Sequence, residues 1–71
     1  MSSVDEHMGR AVVSRRVSMR LSRAALASKI GMSEQNLSEC EAGTRRISAS
    51  RLFEISRALD VPAAYFFEGY A

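Results

Sequence analysis

No run of about 18 apolar residues occurs in this sequence, which excludes a membrane-spanning helix. There is no tryptophan, and cysteine, histidine and proline occur once each, as Cys40, His7 and Pro62. One cysteine cannot close an internal disulfide, and one Cys with one His supplies no metal set at ligand spacing. No metal and no cofactor are therefore expected. No nucleophile–base pair stands out, and the serines are better explained as helix caps, so the chain is not expected to be an enzyme. Scarce proline favours helices. No strand alternation, internal repeat or low-complexity tract competes with that reading. The start, MSSVDEHMGR, is polar and acidic without an apolar centre, so it is no secretory signal. It reads as a loose arm over residues 1–8, leading into one small domain over 9–71. Cys40 falls on an apolar stripe and reads as a buried thiol suited to a reducing cytoplasm, with a reactive thiol as the alternative.

Basic residues are also missing from one place. The formal net charge is +2, with six of the ten bases between Arg10 and Lys29 and four from Arg45 to Arg57. Between Gly31 and Gly43 there is none, while Glu34, Glu39 and Glu41 all fall there. A neutral-to-acidic segment flanked on both sides by arginines is a specific arrangement, although modest positive charge alone is usually a solvated surface.

What is present is helical periodicity. Residues from about Gly9 to Met19 place Val12, Val13 and Val17 on one face, with Arg15 and Arg20 away from it. Arg16 falls within that stripe, where a guanidinium needs a carboxylate, and Glu41 is the natural partner. The alternative is that Arg16 snorkels to solvent along the core edge. Ser22 can cap a second helix, about Arg23 to Ile30, whose stripe is Leu26, Ala27 and Ile30. Gly31 suits a left-handed helix end, and Ala27 is small where helices cross closely. Ser33 can cap a third helix, about Glu34 to Ala42, with Leu37, Cys40 and Glu41 inward. A fourth, about Ala49 to Leu59 behind Ser48, carries Leu52, Ile55 and Leu59. After a break at Asp60 and Val61, Pro62 can open a final turn or helix ending in Tyr65, Phe66 and Phe67. The fold class is all-α, a compact bundle of five short helices. Two helices joined by a Gly-containing turn over about 22–42 form a helix-turn-helix, a shape that seats one helix in the DNA major groove.

The frame of Arg16, LS at 21–22, LA at 26–27, Gly31, Ser33, Leu37, Glu41, Gly43 and the ALDVP segment at 58–62 resembles the Cro/phage-repressor type of helix-turn-helix, the xenobiotic-response-element family. The resemblance covers about Gly9 to Gly69. It implies a lambda-repressor-like five-helix domain with helix three as recognition helix, in a prokaryotic or phage regulator acting at the nucleoid in the cytoplasm. It also implies that Arg16 and Glu41 form a structural ion pair between helices one and three. Ser22 and Arg23 then correspond to the start of helix two, where a phosphate is held. The family often has Gln at the Arg23 position, and Arg there holds phosphate more strongly and says less about bases. Cys40 replaces a larger apolar residue, which thins the packing under helix three.

Stepping helix three at 100° per residue from an inward Leu37 turns Gln35, Ser38, Glu39 and Ala42 outward. Ser33, Glu34, Gln35, Ser38 and Glu39 are the expected base contacts; Gln35 can pair with adenine and a Glu can accept from the cytosine amino group. For Glu34, a favourable charge at a helix N-terminus is an equal alternative. Affinity must then come from the flanks: Ser22, Arg23, Asn36, Thr44, Arg45 and Arg46 are the expected phosphate contacts. One small module reads few bases, so a homodimer on an inverted-repeat operator is expected, with recognition helices roughly 34 Å apart. Phe66, Phe67 and Tyr70 either close the core or supply the dimer seam. The function expected is sequence-specific double-stranded DNA binding as a transcriptional repressor. The alternative is an antitoxin-like or adaptor module that chiefly binds protein, favoured by the acidic helix three. No effector domain is read, so a complete small regulator and a piece of a longer one both stay open.

Overall fold

The computed structural model describes residues 3–70; of the expected arm and domain, Met1, Ser2 and Ala71 lie outside the described residues. Helices α1 (Ser3–Ser18), α2 (Arg23–Lys29), α3 (Glu34–Ala42) and α4 (Ala49–Ala58) are followed by a 3-10 helix, Ala63–Phe67. Among the described residues the protein is all-helical, four α-helices and a 3-10 turn where five short helices were expected.

The loose arm is the main correction. From Ser3 onward it forms the first turns of α1, so that helix is 16 residues long. Asp5 and Glu6 sit in its first turn, where the helix dipole favours acids. Met8 is buried in the core and Val4 packs against it. An acidic start that reads as a solvated arm is thus also a well-formed helix N-terminus.

The inward stripe of α1 differs by one helical step from the expected one. Asp5, Met8, Gly9 and Val12 are buried, whereas Val17 is 59% exposed. Arg16, four residues after Val12, continues the buried line; Val17 lies 100° further round and points out. Gly9 explains the registration. A Cβ on it would collide with the carbonyl oxygens of Cys40 and Glu41 at the end of α3. The two backbones therefore touch at a position only glycine permits.

The core is Met8, Val12, Leu26, Ala27, Ile30, Leu37, Leu52, Ile55, Leu59 and Phe66. Each large member buried contributes about 1.5–3 kcal/mol against the entropy of ordering the chain. All three interior helices begin on a serine whose hydroxyl accepts a backbone N–H: Ser22 from Ala25 (3.0 Å), Ser33 from Asn36 (3.0 Å) and Ser48 from Arg51 (3.3 Å). Gly43 ends α3 at φ 81°, and Glu6 of α1 packs where its side chain would stand. The loop after α3 thus leans on the segment expected to be loose.

Candidate nucleic-acid interface

Helices α2 and α3 are joined by Ile30 to Ser33, and Met32 N–H donates to the Ala27 carbonyl at 2.9 Å. Gly31 turns the chain at φ 66°. Leu26, Ala27 and Ile30 of this unit and Leu37 of α3 are buried, which fixes both helices on one core.

Behind α3 lies an ionic network. Glu41 is 3% exposed at its side chain and accepts from Arg16 Nε at 2.7 Å and Nη2 at 3.3 Å. Arg16 Nη1 also donates to the Leu21 carbonyl at 3.0 Å. The expected pair is present, part-buried rather than snorkelling. Arg23 is a third member. Its Nε donates to Glu41 Oε1 at 2.9 Å while 40% of its side chain stays exposed. The phosphate ligand expected from helix two is thus anchored from behind by the carboxylate that ties α1 to α3. Nothing in the spacing of Arg23 had suggested this; an acid that must satisfy both oxygens when buried is the signal that could have.

On the outward side of α3, Glu34 and Gln35 are exposed, and Asn36, Ser38 and Glu39 are half-buried. The Ser33 hydroxyl is engaged as the helix cap. Arg23, Glu34, Gln35 and Ser38 line one open depression between the beginnings of α2 and α3. Gln35 Nε2 donates to Glu39 Oε2 at 3.1 Å, and Arg45 Nε donates to Glu39 Oε1 at 2.8 Å. These hydrogen bonds, Arg45 first, hold the Glu39 carboxyl below its ordinary value. Helix three lacks bases of its own, yet one of its acids is paired by a base from the next loop.

The flanking loop is ordered by its own contacts. Thr44 N–H and Oγ1 both donate to the Glu39 carbonyl, at 3.0 and 3.2 Å. Arg46 is 76% exposed and lies 4.0 Å from the buried Asp5 carboxylate of α1. Asn36, Cys40, Arg45, Arg46, Ser48 and Arg51 line a second concavity, between α3 and α4. Cys40 is buried, and that burial pushes its thiol above its ordinary value. Arg51 is one of the four bases from Arg45 to Arg57. It donates to the Ile30 carbonyl at 2.6 Å and to Glu54 at 3.0 Å, tying α4 to the end of α2.

The aromatic cluster divides. Phe66 is fully buried in the core, whereas Phe67 and Tyr70 are 45% and 43% exposed. Tyr70 Oη lies 3.0 Å from Ser3 Oγ, and its ring leans on His7. Phe53 of α4, not singled out by sequence, is 61% exposed. Among the described residues no group of three metal-ligating side chains occurs, and no helix is long and apolar enough to cross a membrane.

Comparison with known proteins agrees with this architecture. A family model described as Helix-turn-helix (HTH_3) matches residues 13–66. The chain is 48% identical over 64 residues to an uncharacterized transcriptional regulator in the ATPase CF(0) region of Rhodospirillum rubrum, covering 90% of this chain and 59% of that protein. It is 42% identical over 67 residues to the HTH-type transcriptional regulator y4aM of Sinorhizobium fredii, covering 94% of this chain and 47% of that one. The chain thus spans about half the length of the curated relatives it matches. Among solved structures, the clp gene regulator ClgR from C. glutamicum superposes with a TM-score of 0.88 at 27% identity, over 94% of this chain and 87% of that one. The restriction-modification controller protein C.AhdI from Aeromonas hydrophila shares the fold, with a TM-score of 0.88 at 23% identity, over 93% of this chain and 100% of that chain. The chain belongs to the helix-turn-helix (HTH_3) family.

Proposed function

We propose that this chain binds double-stranded DNA as a transcriptional regulator, with α2 and α3 as the helix-turn-helix and the N-terminal half of α3 in the major groove. The observation that carries this is the outward face of α3. Its exposed polar side chains stand between the capped start of α2 and the Thr44–Arg46 loop, both suited to phosphates. Glu34, Gln35, Ser38 and Glu39 are the proposed base contacts, with Ser33 reaching a base through the hydroxyl proton and the second lone pair that its cap leaves over. Ser22, Asn36, Thr44, Arg45 and Arg46 supply phosphate contacts. With Arg45 and Arg46 each neutralising one phosphate, log affinity falls with log salt at a slope of about −1.8 per half-site.

Binding is proposed to be the whole activity, with neither catalysis nor a cofactor. A homodimer on an inverted repeat supplies the affinity one module lacks, and occupancy of the operator makes the regulator a repressor. Phe67 and Tyr70, with Phe53, are the seam candidates; Phe66 is spent on the core. The adaptor alternative rested on acids facing a phosphate lattice, and the pairing of Glu39 with Arg45 weakens it. A gel shift on random duplexes across a salt series tests the proposal. Salt-sensitive binding supports it, and absence of binding at low salt by folded protein overturns it. Selection from a random duplex pool then reads half-site sequence, spacing and symmetry.

A further inference from the structure

We infer that Arg23, on α2 rather than on the recognition helix, reads a guanine in each half-site. The inference rests on the DNA-binding proposal and adds a base-reading residue to it. Three observations lead there. Arg23 Nε is taken by Glu41 Oε1 at 2.9 Å, which leaves the Nη1 and Nη2 end of the fork as its outer edge. Glu41 is 3% exposed and also gripped by Arg16, so the anchor behind Arg23 is itself fixed. The exposed part of Arg23 opens into the depression it shares with Glu34, Gln35 and Ser38, on the base-facing side of α3.

A guanidinium held at Nε presents two N–H groups side by side in a set plane. Guanine offers two acceptors, N7 and O6, on its major-groove edge, while adenine and cytosine each place an amino donor there. An end-on fork therefore fits guanine with two bonds, meets a donor on adenine or cytosine, and finds only the single O4 acceptor beside a methyl group on thymine. A phosphate needs no such fixed plane, because it accepts from many directions. Placing a cation beside Glu34 also offsets the acid that α3 carries toward the bases.

The test is a base-by-base affinity profile of the selected half-site, measured for the intact protein and for Arg23→Lys and Arg23→Gln. Lysine keeps the charge and gives up the planar fork. The intact protein is expected to prefer guanine at one position of each half-site by about 5- to 150-fold. In Arg23→Lys the four base variants at that position converge, while the slope of log affinity against log salt is retained. Thermal unfolding of both variants checks that Arg16 still holds Glu41. An unaltered base profile in Arg23→Lys overturns the inference. So does a uniform loss over all sequences in Arg23→Gln with a slope shallower by about 0.9, which identifies a phosphate clamp and leaves the DNA-binding proposal standing. Failure of the folded intact protein to bind any duplex at low salt overturns both.

Discussion

Replacing Glu41 by alanine should come close to unfolding the domain. Its carboxylate accepts from Arg16 at 2.7 and 3.3 Å and from Arg23 at 2.9 Å, at a site only 3% exposed. Arg23 can swing into water when its partner goes, because 40% of its side chain is already there. Arg16 cannot do so cheaply, being 12% exposed and tied to the Leu21 carbonyl. Stranding one charge of a buried pair costs about 3–5 kcal/mol. A chain of 71 residues has a total stability of only about 4–11 kcal/mol on the usual per-residue scale. At roughly 4–8 °C per kcal/mol for domains of this size, Tm should fall by at least about 12 °C.

The loss should depend on what is left behind, not on the ion pair as such. A double variant, Arg16→Met with Glu41→Leu, removes both charges and fills the site with apolar volume. It should melt nearer to the intact protein than Glu41→Ala does, because no buried ion remains to be desolvated. Thermal and urea unfolding followed by circular dichroism decide the matter. A Tm for Glu41→Ala within about 2 °C of the intact protein would refute the reasoning, since it would mean that water already screens Arg16.

Gly9→Ala should lower stability by about 1–3 kcal/mol, measured by urea unfolding, because the added methyl meets the Cys40 and Glu41 carbonyls and must push α1 off α3. Arg46→Ala should weaken binding to all duplexes alike and make the salt slope shallower by about 0.9, read from filter binding across a salt series. Gln35→Ala should relax preference at one position of each half-site in a base-by-base profile; an unchanged profile would mean that α3 is turned differently in the groove. The Glu39 carboxyl should titrate below its ordinary value by NMR, and Arg45→Ala should raise the midpoint. Since the folded value is the depressed one, this contribution to stability is present above the unfolded pKa and is lost as pH falls through the folded one.

The helices of the core could be read from periodicity because burial there is decided by apolar side chains alone. Leu26, Leu37, Ile55 and Leu59 each sit where a 3.6-residue repeat puts them, and all are fully buried. The Arg16–Glu41 pair was legible for a related reason, as a charge within an apolar stripe demands a partner. What escaped was set by contacts between distant segments. The start of α1 reads as polar, and only the α3 end and its loop, packed on Gly9 and Glu6, show why it is helical. Arg23 and Arg45 read from sequence only as phosphate contacts, yet each is held by a carboxylate 18 and 6 residues away in sequence. Long flexible side chains carry no periodic signal, so their partners emerge only from the fold. Phe66 and Phe67 differ for a similar reason: adjacent residues on a short 3-10 turn diverge, one into the core and one to solvent.

The same contacts bear on how a helix without bases could read DNA. Specificity from a few side chains requires that they be held in place before DNA arrives, since each rotamer ordered on binding costs about 0.5–1.5 kcal/mol. Here α3 is held at several points: Ser33 caps its start, Glu41 is gripped from α1 and α2, Glu39 is clamped by Arg45, and Gly9 lets α1 rest against its end. The clamp on Glu39 carries a second consequence. Arg45 gives only its Nε to Glu39, so its Nη groups stay free for a phosphate, and one side chain joins the proposed base-facing carboxylate to the DNA backbone. A carboxylate held in this way is already in place when a cytosine amino group meets it. Glu39→Gln removes the charged partner of Arg45 and should narrow the gap between specific and non-specific binding; an unchanged gap would mean that Glu39 takes no part in readout.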